Sequence, residues 1–244
     1  ITDSAGNTGS QTHNVTVDTG LPGLSIDAIS QDNVLNAIEK GADLTISGTG
    51  SNLSDGTQVS VTLNGVTYTA QIAAGVWSLT VPASALAALG EANYTVTASA
   101  SSDIGNTISE SANLLVDTSL PSVIISAVAG DDVINAAEAA VAQTLSGRVT
   151  NAASGDVVTI TLGGKTYTAT VQDDLSWSVS VPATDLQALG DGDLTVSASV
   201  TNQHGNTGSA DRDIAIDANL PGLRIDTVAG DDIVNSIEIQ QNQI

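Results

Sequence analysis

Nearly every side chain in this sequence that could do chemistry is an oxygen donor. There are 27 Asp and Glu residues against 5 Lys and Arg, with two His and no Cys. The acids and amides recur in three sets. The first is Asp32, Asn33, Asn36 and Glu39, then Asp131, Asp132, Asn135 and Glu138. The second is Asp18, Asp117 and Asp217, and the third is Asp103 and Asn106, then Asn202 and Asn206. Carboxylates and amides at this density suit a hard cation such as Ca2+, which takes about six to eight oxygens. The same spacing has an ordinary reading. Asp131 or Asp132 would cap a helical turn from Asn135 to Glu138, and Gly-Asn pairs form turns. Spacing alone leaves the two readings even, and the EF-hand pattern is absent.

Other chemistry has little support. His13 and His204 occupy different places in the pattern, and no G-x-S-x-G motif occurs. Without Cys there are no disulfides, thiolate metal sites or Cys nucleophiles. Lys40 and Lys165 are not equivalent, so a recurring Lys–Asn crosslink is not expected. No catalytic role and no organic cofactor are assigned. A formal charge of −22 argues against nucleic acid and against an anionic membrane surface. No apolar run reaches membrane-spanning length, so direct membrane insertion is not expected. Ile1-Thr2-Asp3-Ser4 does not resemble a signal peptide, and the chain reads as a piece of something longer.

The elements that position these donors repeat. DTGLPGLSIDAISQDNVLNAIE from Asp18 to Glu39 returns from Asp117 to Glu138 and again from Asp217 to Glu238, at steps of 99 and 100 residues. Trp77 and Trp177, Tyr68 and Tyr167, and Pro82 and Pro182 keep the same step. The boundaries follow: 1–17 as the last strand of a preceding unit, 18–116 and 117–216 as whole units, and 217–244 as the opening of a following one. A period near a hundred residues matches one β-sandwich domain. Each unit alternates apolar and polar residues, as in Val59-Ser60-Val61-Thr62-Leu63, followed by the hairpin signal Asn64-Gly65. Ser84 to Gly90 reads as one or two helical turns. About seven strands per unit predict an all-β chain of tandem immunoglobulin-like sandwiches, elongated as beads on a string, with Trp77 and Trp177 in the cores. Strand direction predicts that Asp32 and Glu39 lie at the end where the chain leaves a unit. There they would meet Asp117 and the Asn202–Asn206 loop.

These motifs occur together and in order: Val116-Asp117-Thr118-x-x-Pro121, Gly130-Asp131-Asp132-Val133-Ile134-Asn135-x-x-Glu138, Asn64-Gly65-x-x-Tyr68-Thr69-Ala70, Trp177-Ser178-Val179-Ser180-Val181-Pro182 and Asp3-x-x-Gly6-Asn7-Thr8. In this the whole chain resembles the bacterial Ig-like repeats of giant, type I-secreted adhesins of Gram-negative bacteria. Biofilm-associated proteins and the giant non-fimbrial adhesin of Salmonella belong to that group. The resemblance implies a secreted, cell-surface stalk stiffened by Ca2+ at domain junctions, monomeric as this fragment. It implies roles in adhesion, biofilm and virulence, with any host-cell or biofilm-matrix surface engaged through other parts of the full protein. The alternative is a repeat that itself binds a host or matrix glycan or protein. There are departures. Ser126 stands where Asp27 and Asp226 stand, and Ser102-Asp103-Ile104-Gly105 becomes Asn202-Gln203-His204-Gly205. The resemblance therefore implies calcium sites that differ in affinity or are missing.

Overall fold

The computed structural model describes residues 1–15, 17, 19–227 and 232–240. They divide into two compact units. The first is 1–122 with the loops 151–156 and 201–208; the second is 123–150, 157–200 and the described part of 209–244.

The first unit has eight strands: β1 (Gly23–Leu24), β2 (Val34–Leu35), β3 (Leu44–Ser51), β4 (Gln58–Leu63), β5 (Val66–Gln71), β6 (Val76–Val81), β7 (Ala92–Ser101) and β8 (Thr107–Val116). They form a three-stranded sheet, β1-β3-β6, and a five-stranded sheet, β2-β8-β7-β4-β5. The second unit has the same plan in β9 (Ser122–Ile125), β10 (Val133–Asn135), β11 (Gln143–Thr150), β12 (Val157–Leu162), β13 (Lys165–Thr170), β14 (Ser176–Val181), β15 (Gly192–Thr201) and β16 (Thr207–Asp217). Its sheets are β14-β11-β9 and β10-β16-β15-β12-β13.

Alternation sets the faces, because successive strand side chains point to opposite sides. Val59, Val61 and Leu63 of β4 are buried, as are Val158, Ile160 and Leu162 of β12. Asn64-Gly65 has φ of 49° and 76°, and Gly163-Gly164 has 57° and 77°. Two positive φ values make the two-residue turn that matches strand twist, which accounts for Asn-Gly in one unit and Gly-Gly in the other. Trp77 and Trp177 are 2% and 1% exposed, in the cores. Each packs against a glycine on its partner strand, Gly48 or Gly147. A Cβ at Gly147 would lie 1.8 Å from the Ile124 carbonyl and 2.8 Å from the Trp177 ring.

The expected seventh and opening strand is in fact two. After β1, single backbone bonds continue along β3, from Ser25 N to Thr49 O and from Asp27 N to Ser47 O. The chain then turns through Ser30, Gln31 and Asn33, all with positive φ, and re-forms as β2 in the other sheet. There it runs parallel to β8, with Val34 opposite Leu115 and Leu35 opposite Val116. The expected helical turns are short: α1 (Ala83–Leu86), α2 (Ala136–Ala139) and α3 (Ala183–Gln187).

Candidate functional site

The sheet switch decides where the donors fall. Asp32 precedes β2, which runs towards the end of β8, so Asp32 lies back from the trailing end of the unit. This corrects the expected convergence, which assumed one continuous opening strand. Asn36 and Glu39, beyond β2, do reach that end. Asn36 Oδ1 accepts the Ile38 and Glu39 amides at 2.9 and 3.0 Å, and Glu39 Oε2 accepts the Asn36 amide at 3.1 Å.

Asp117 follows directly, its amide donating to Leu35 O at 3.2 Å. Its Oδ1 accepts the Ser119 amide at 3.1 Å, and its Oδ2 faces His204 Nδ1. Its carbonyl accepts Asn206 Nδ2 at 2.8 Å. Asn206 is 1% exposed and uses its whole carboxamide, since Oδ1 also accepts the Ala37 amide at 2.9 Å. Asn202, 9% exposed, shapes the hairpin. Its Oδ1 accepts the His204 and Asn206 amides at 3.1 and 3.0 Å. Asn151 Nδ2 donates to Ser119 O at 2.7 Å. Glu91 accepts the hydroxyls of Thr118 and Ser119 at 3.0 and 2.7 Å. All of these residues belong to the first unit. Among the described residues, Asn202 and Asn206 are the buried polar side chains, which marks the hairpin as a built feature.

The remaining candidates are dispersed. Asp32 Oδ1 accepts the Val34 amide and Asn33 Oδ1 the Ile29 amide, both at 2.9 Å. Asp131 accepts the Val133 amide at 3.1 Å, and Asp132 Oδ1 the Val128 amide at 3.0 Å. Neither caps α2. β10 intervenes, and the cap is Asn135, whose Oδ1 accepts the Ala137 and Glu138 amides while Glu138 Oε2 accepts the Asn135 amide. Asp103 Oδ2 accepts Ser54 Oγ at 2.6 Å, and Asn106 Nδ2 donates to Gly20 O at 3.2 Å. Asp217 ends β16 opposite Asn135. Asp18 lies outside the described residues.

Arg212 Nε donates to Asp132 Oδ1 at 2.6 Å, and its Nη2 bonds Oδ2. This guanidinium holds the Asp132 carboxyl down at about 2. Burial, and then the Asp185 carboxylate that Tyr167 Oη bonds at 2.8 Å, push the Tyr167 phenol up to about 12.

Sequence reasoning missed Glu91 and set His204 aside. Glu91 had a signal, because Asp191 recurs at the same step and bonds the Ala218 amide at 2.8 Å. His204 had none, since Ile104 stands in its place one repeat earlier.

In donor type these clusters suit a hard cation. Both Asp117 carboxylate oxygens are engaged, one by an amide and one by an imidazole. Among the described residues no three His, Cys, Asp or Glu side chains group closely enough to hold a metal ion.

No family model and no curated protein matches the chain. Solved structures do. The chain is similar to a Ca2+-stabilised adhesin that helps an Antarctic bacterium reach out and bind ice, at 33% identity over 97% of this chain and 60% of that one, with a TM-score of 0.58. It is similar to a 1.5-MDa bacterial ice-binding adhesin studied for host cell surface retention, at 29% identity over 89% of this chain and 72% of that one, with a TM-score of 0.52. A bacterial immunoglobulin-like domain from the M. primoryensis ice-binding adhesin is 35% identical over 40% of this chain and 96% of that domain, with a TM-score of 0.32. The chain spans 60% of the length of the first of these.

Proposed function

Since this chain belongs to the immunoglobulin-like repeats of giant bacterial adhesins, we propose that it is a stretch of extracellular stalk, a non-catalytic spacer that carries a distant binding region away from the cell surface. One observation carries the reading. β8 ends at Val116 and β9 begins at Ser122, so the linker 117–121 runs almost strand to strand. Pro121 fixes its own φ and biases Leu120 towards extended backbone, so the link cannot roam like a Gly/Ser tether. The repeat boundaries 18–116 and 117–216 belong to this proposal, as do type I secretion and a part in biofilm formation and virulence.

Calcium is the proposed stabilising cation. Candidate ligands are carboxylates that accept only from amides or hydroxyls: Asp32, Glu39, Asp131 and Glu138, each held by an amide, and Asp103, held by a hydroxyl. Asp103 sits at the leading end of the first repeat, where the hairpin carries an acid and no histidine. Bound at such carboxylates, calcium would offset part of the chain's net charge of −22.

A spacer should bind nothing but calcium. The test is a screen of the fragment against glycan and host-protein arrays in calcium. No saturable binding is expected. A saturable, competable ligand would move the assignment to a direct binding module.

A further inference from the structure

The implied metal and the observed donors disagree at one place. In the first repeat the hairpin reads Ser102-Asp103-Ile104-Gly105-Asn106; in the second it reads Asn202-Gln203-His204-Gly205-Asn206. The second hairpin has lost its acid and gained an imidazole. We infer that the linker at Asp117 is held by a protein-only clasp, made by Asn206 and His204, and that Asp117 is not a calcium ligand.

The geometry supports each part. Asn206 ties three backbone segments together: its Oδ1 takes the Ala37 amide, its Nδ2 gives to the Asp117 carbonyl, and its own amide gives to Asn202 Oδ1. Asn206 itself is 1% exposed, so leaving its carboxamide unbonded would be costly. The Asp117 carbonyl, an oxygen calcium would want, already accepts one hydrogen bond, from Asn206 Nδ2. His204 Nδ1 sits on Asp117 Oδ2, where a metal would have to displace it. A Cβ at Gly205 would meet Asn36 Nδ2 at 2.9 Å, so the hairpin is also seated tightly against the Asn36 turn. The neighbouring hairpin offers amides and an imidazole and no carboxylate, while Glu91 is held by the Thr118 and Ser119 hydroxyls and Glu39 by the Asn36 amide. Calcium sites are built from several hard oxygens, with carboxylates prominent among them. This inference is independent of the spacer reading, because it concerns only how these residues are held.

Amide hydrogen exchange tests it on the whole fragment, in EGTA and in millimolar calcium. The Ala37 amide reports directly, because its acceptor is Asn206 Oδ1. In wild type, protection of Ala37 and Asn206 relative to the core amides of the same unit should be equal in both buffers, within about threefold. Asn206→Ala should speed exchange at Ala37 tenfold or more in both. Asp117→Asn should bind the same number of calcium ions as wild type by calorimetry, with affinity within about twofold. If Asn206→Ala does not fold, the wild-type and Asp117→Asn arms still decide. Exchange at Ala37 that speeds tenfold more in EGTA than exchange at the core amides of the same unit would overturn the inference. So would one bound ion fewer in Asp117→Asn, or unchanged Ala37 exchange in a folded Asn206→Ala. A fragment that binds no calcium at all, yet protects Ala37, would remove calcium from the proposed function and leave the clasp standing.

Discussion

Gly147→Ala is the smallest change that should dislodge a whole strand. Gly147 lies on β11 opposite Trp177, and its missing side chain leaves room for the crossing backbone at Ile124. A methyl there would sit 1.8 Å from the Ile124 carbonyl and 2.8 Å from two Trp177 ring atoms. Ordinary contact begins beyond 3.4 Å, so β9 must move by well over an ångström. Overpacking a core costs about 1–3 kcal/mol. Displacing β9 also strains the backbone bond from Ser126 N to Ser146 O, worth about 0.5–1.5 kcal/mol. The sum is about 2–4 kcal/mol, or roughly 10–25 °C in Tm for a domain near a hundred residues. Scanning calorimetry should show the second unit's transition moved down by that amount. Gly48→Ala, where the Cβ would lie 1.9 Å from Ser25 O, should do the same to the first unit. Gly222→Ala, with nothing within 4 Å, should change neither. A Gly147→Ala protein melting within about 3 °C of wild type would refute the packing argument.

Asn135→Ala removes the two bonds its side chain accepts from the Ala137 and Glu138 amides and leaves the Glu138 bond to its backbone amide, so urea denaturation should show the second unit weakened by about 1 kcal/mol. Acid should weaken the same unit through Asp132. Its carboxyl titrates at about 2 when folded against an ordinary 3.8, so its contribution is whole above pH 4 and fades as pH falls towards 2. Arg212→Gln should flatten that slope in an acid titration followed by circular dichroism. Alkali should act through Tyr167, raised from 10.0 to about 12: the folded form resists deprotonation, so stability is whole below pH 10 and is lost between about pH 10 and 12. Tyr167→Phe should remove that loss, measured as the change in urea midpoint across the same range.

Much of the fold is legible in short-range pattern. Alternation in Val59–Leu63 predicts the buried face of β4, Asn64-Gly65 predicts the hairpin, and the step from Trp77 to Trp177 predicts two equivalent cores. What is not legible lies where backbone conformation departs from residue preference. Ser30, Gln31 and Asn33 take positive φ without a glycine among them, and that turn moves the chain from one sheet to the other. Missing it displaces Asp32 from the linker and makes the expected four-part convergence a smaller one. The capping alternative for Asp131 or Asp132 fails for a related reason: β10 places Asn135 at the helix start. His204 meets Asp117 across 87 residues of sequence, a pairing that no local spacing encodes. Glu91 and Asp191 were legible as a recurring acid, but sequence offers no reason to link them to Ser119 or Ala218.

The claim that this is a calcium-stabilised spacer meets its most direct test in one melting experiment. The fragment is unfolded thermally in EGTA and in calcium up to several millimolar, followed by circular dichroism. A cation that binds only the folded form stabilises it by about 2.7 kcal/mol at a hundredfold excess over Kd, which is roughly 10–20 °C for a domain of this size. The account predicts a calcium-dependent rise of that order, saturating with concentration and unmatched by the same ionic strength of sodium. Melting curves that coincide in EGTA and in saturating calcium would contradict it.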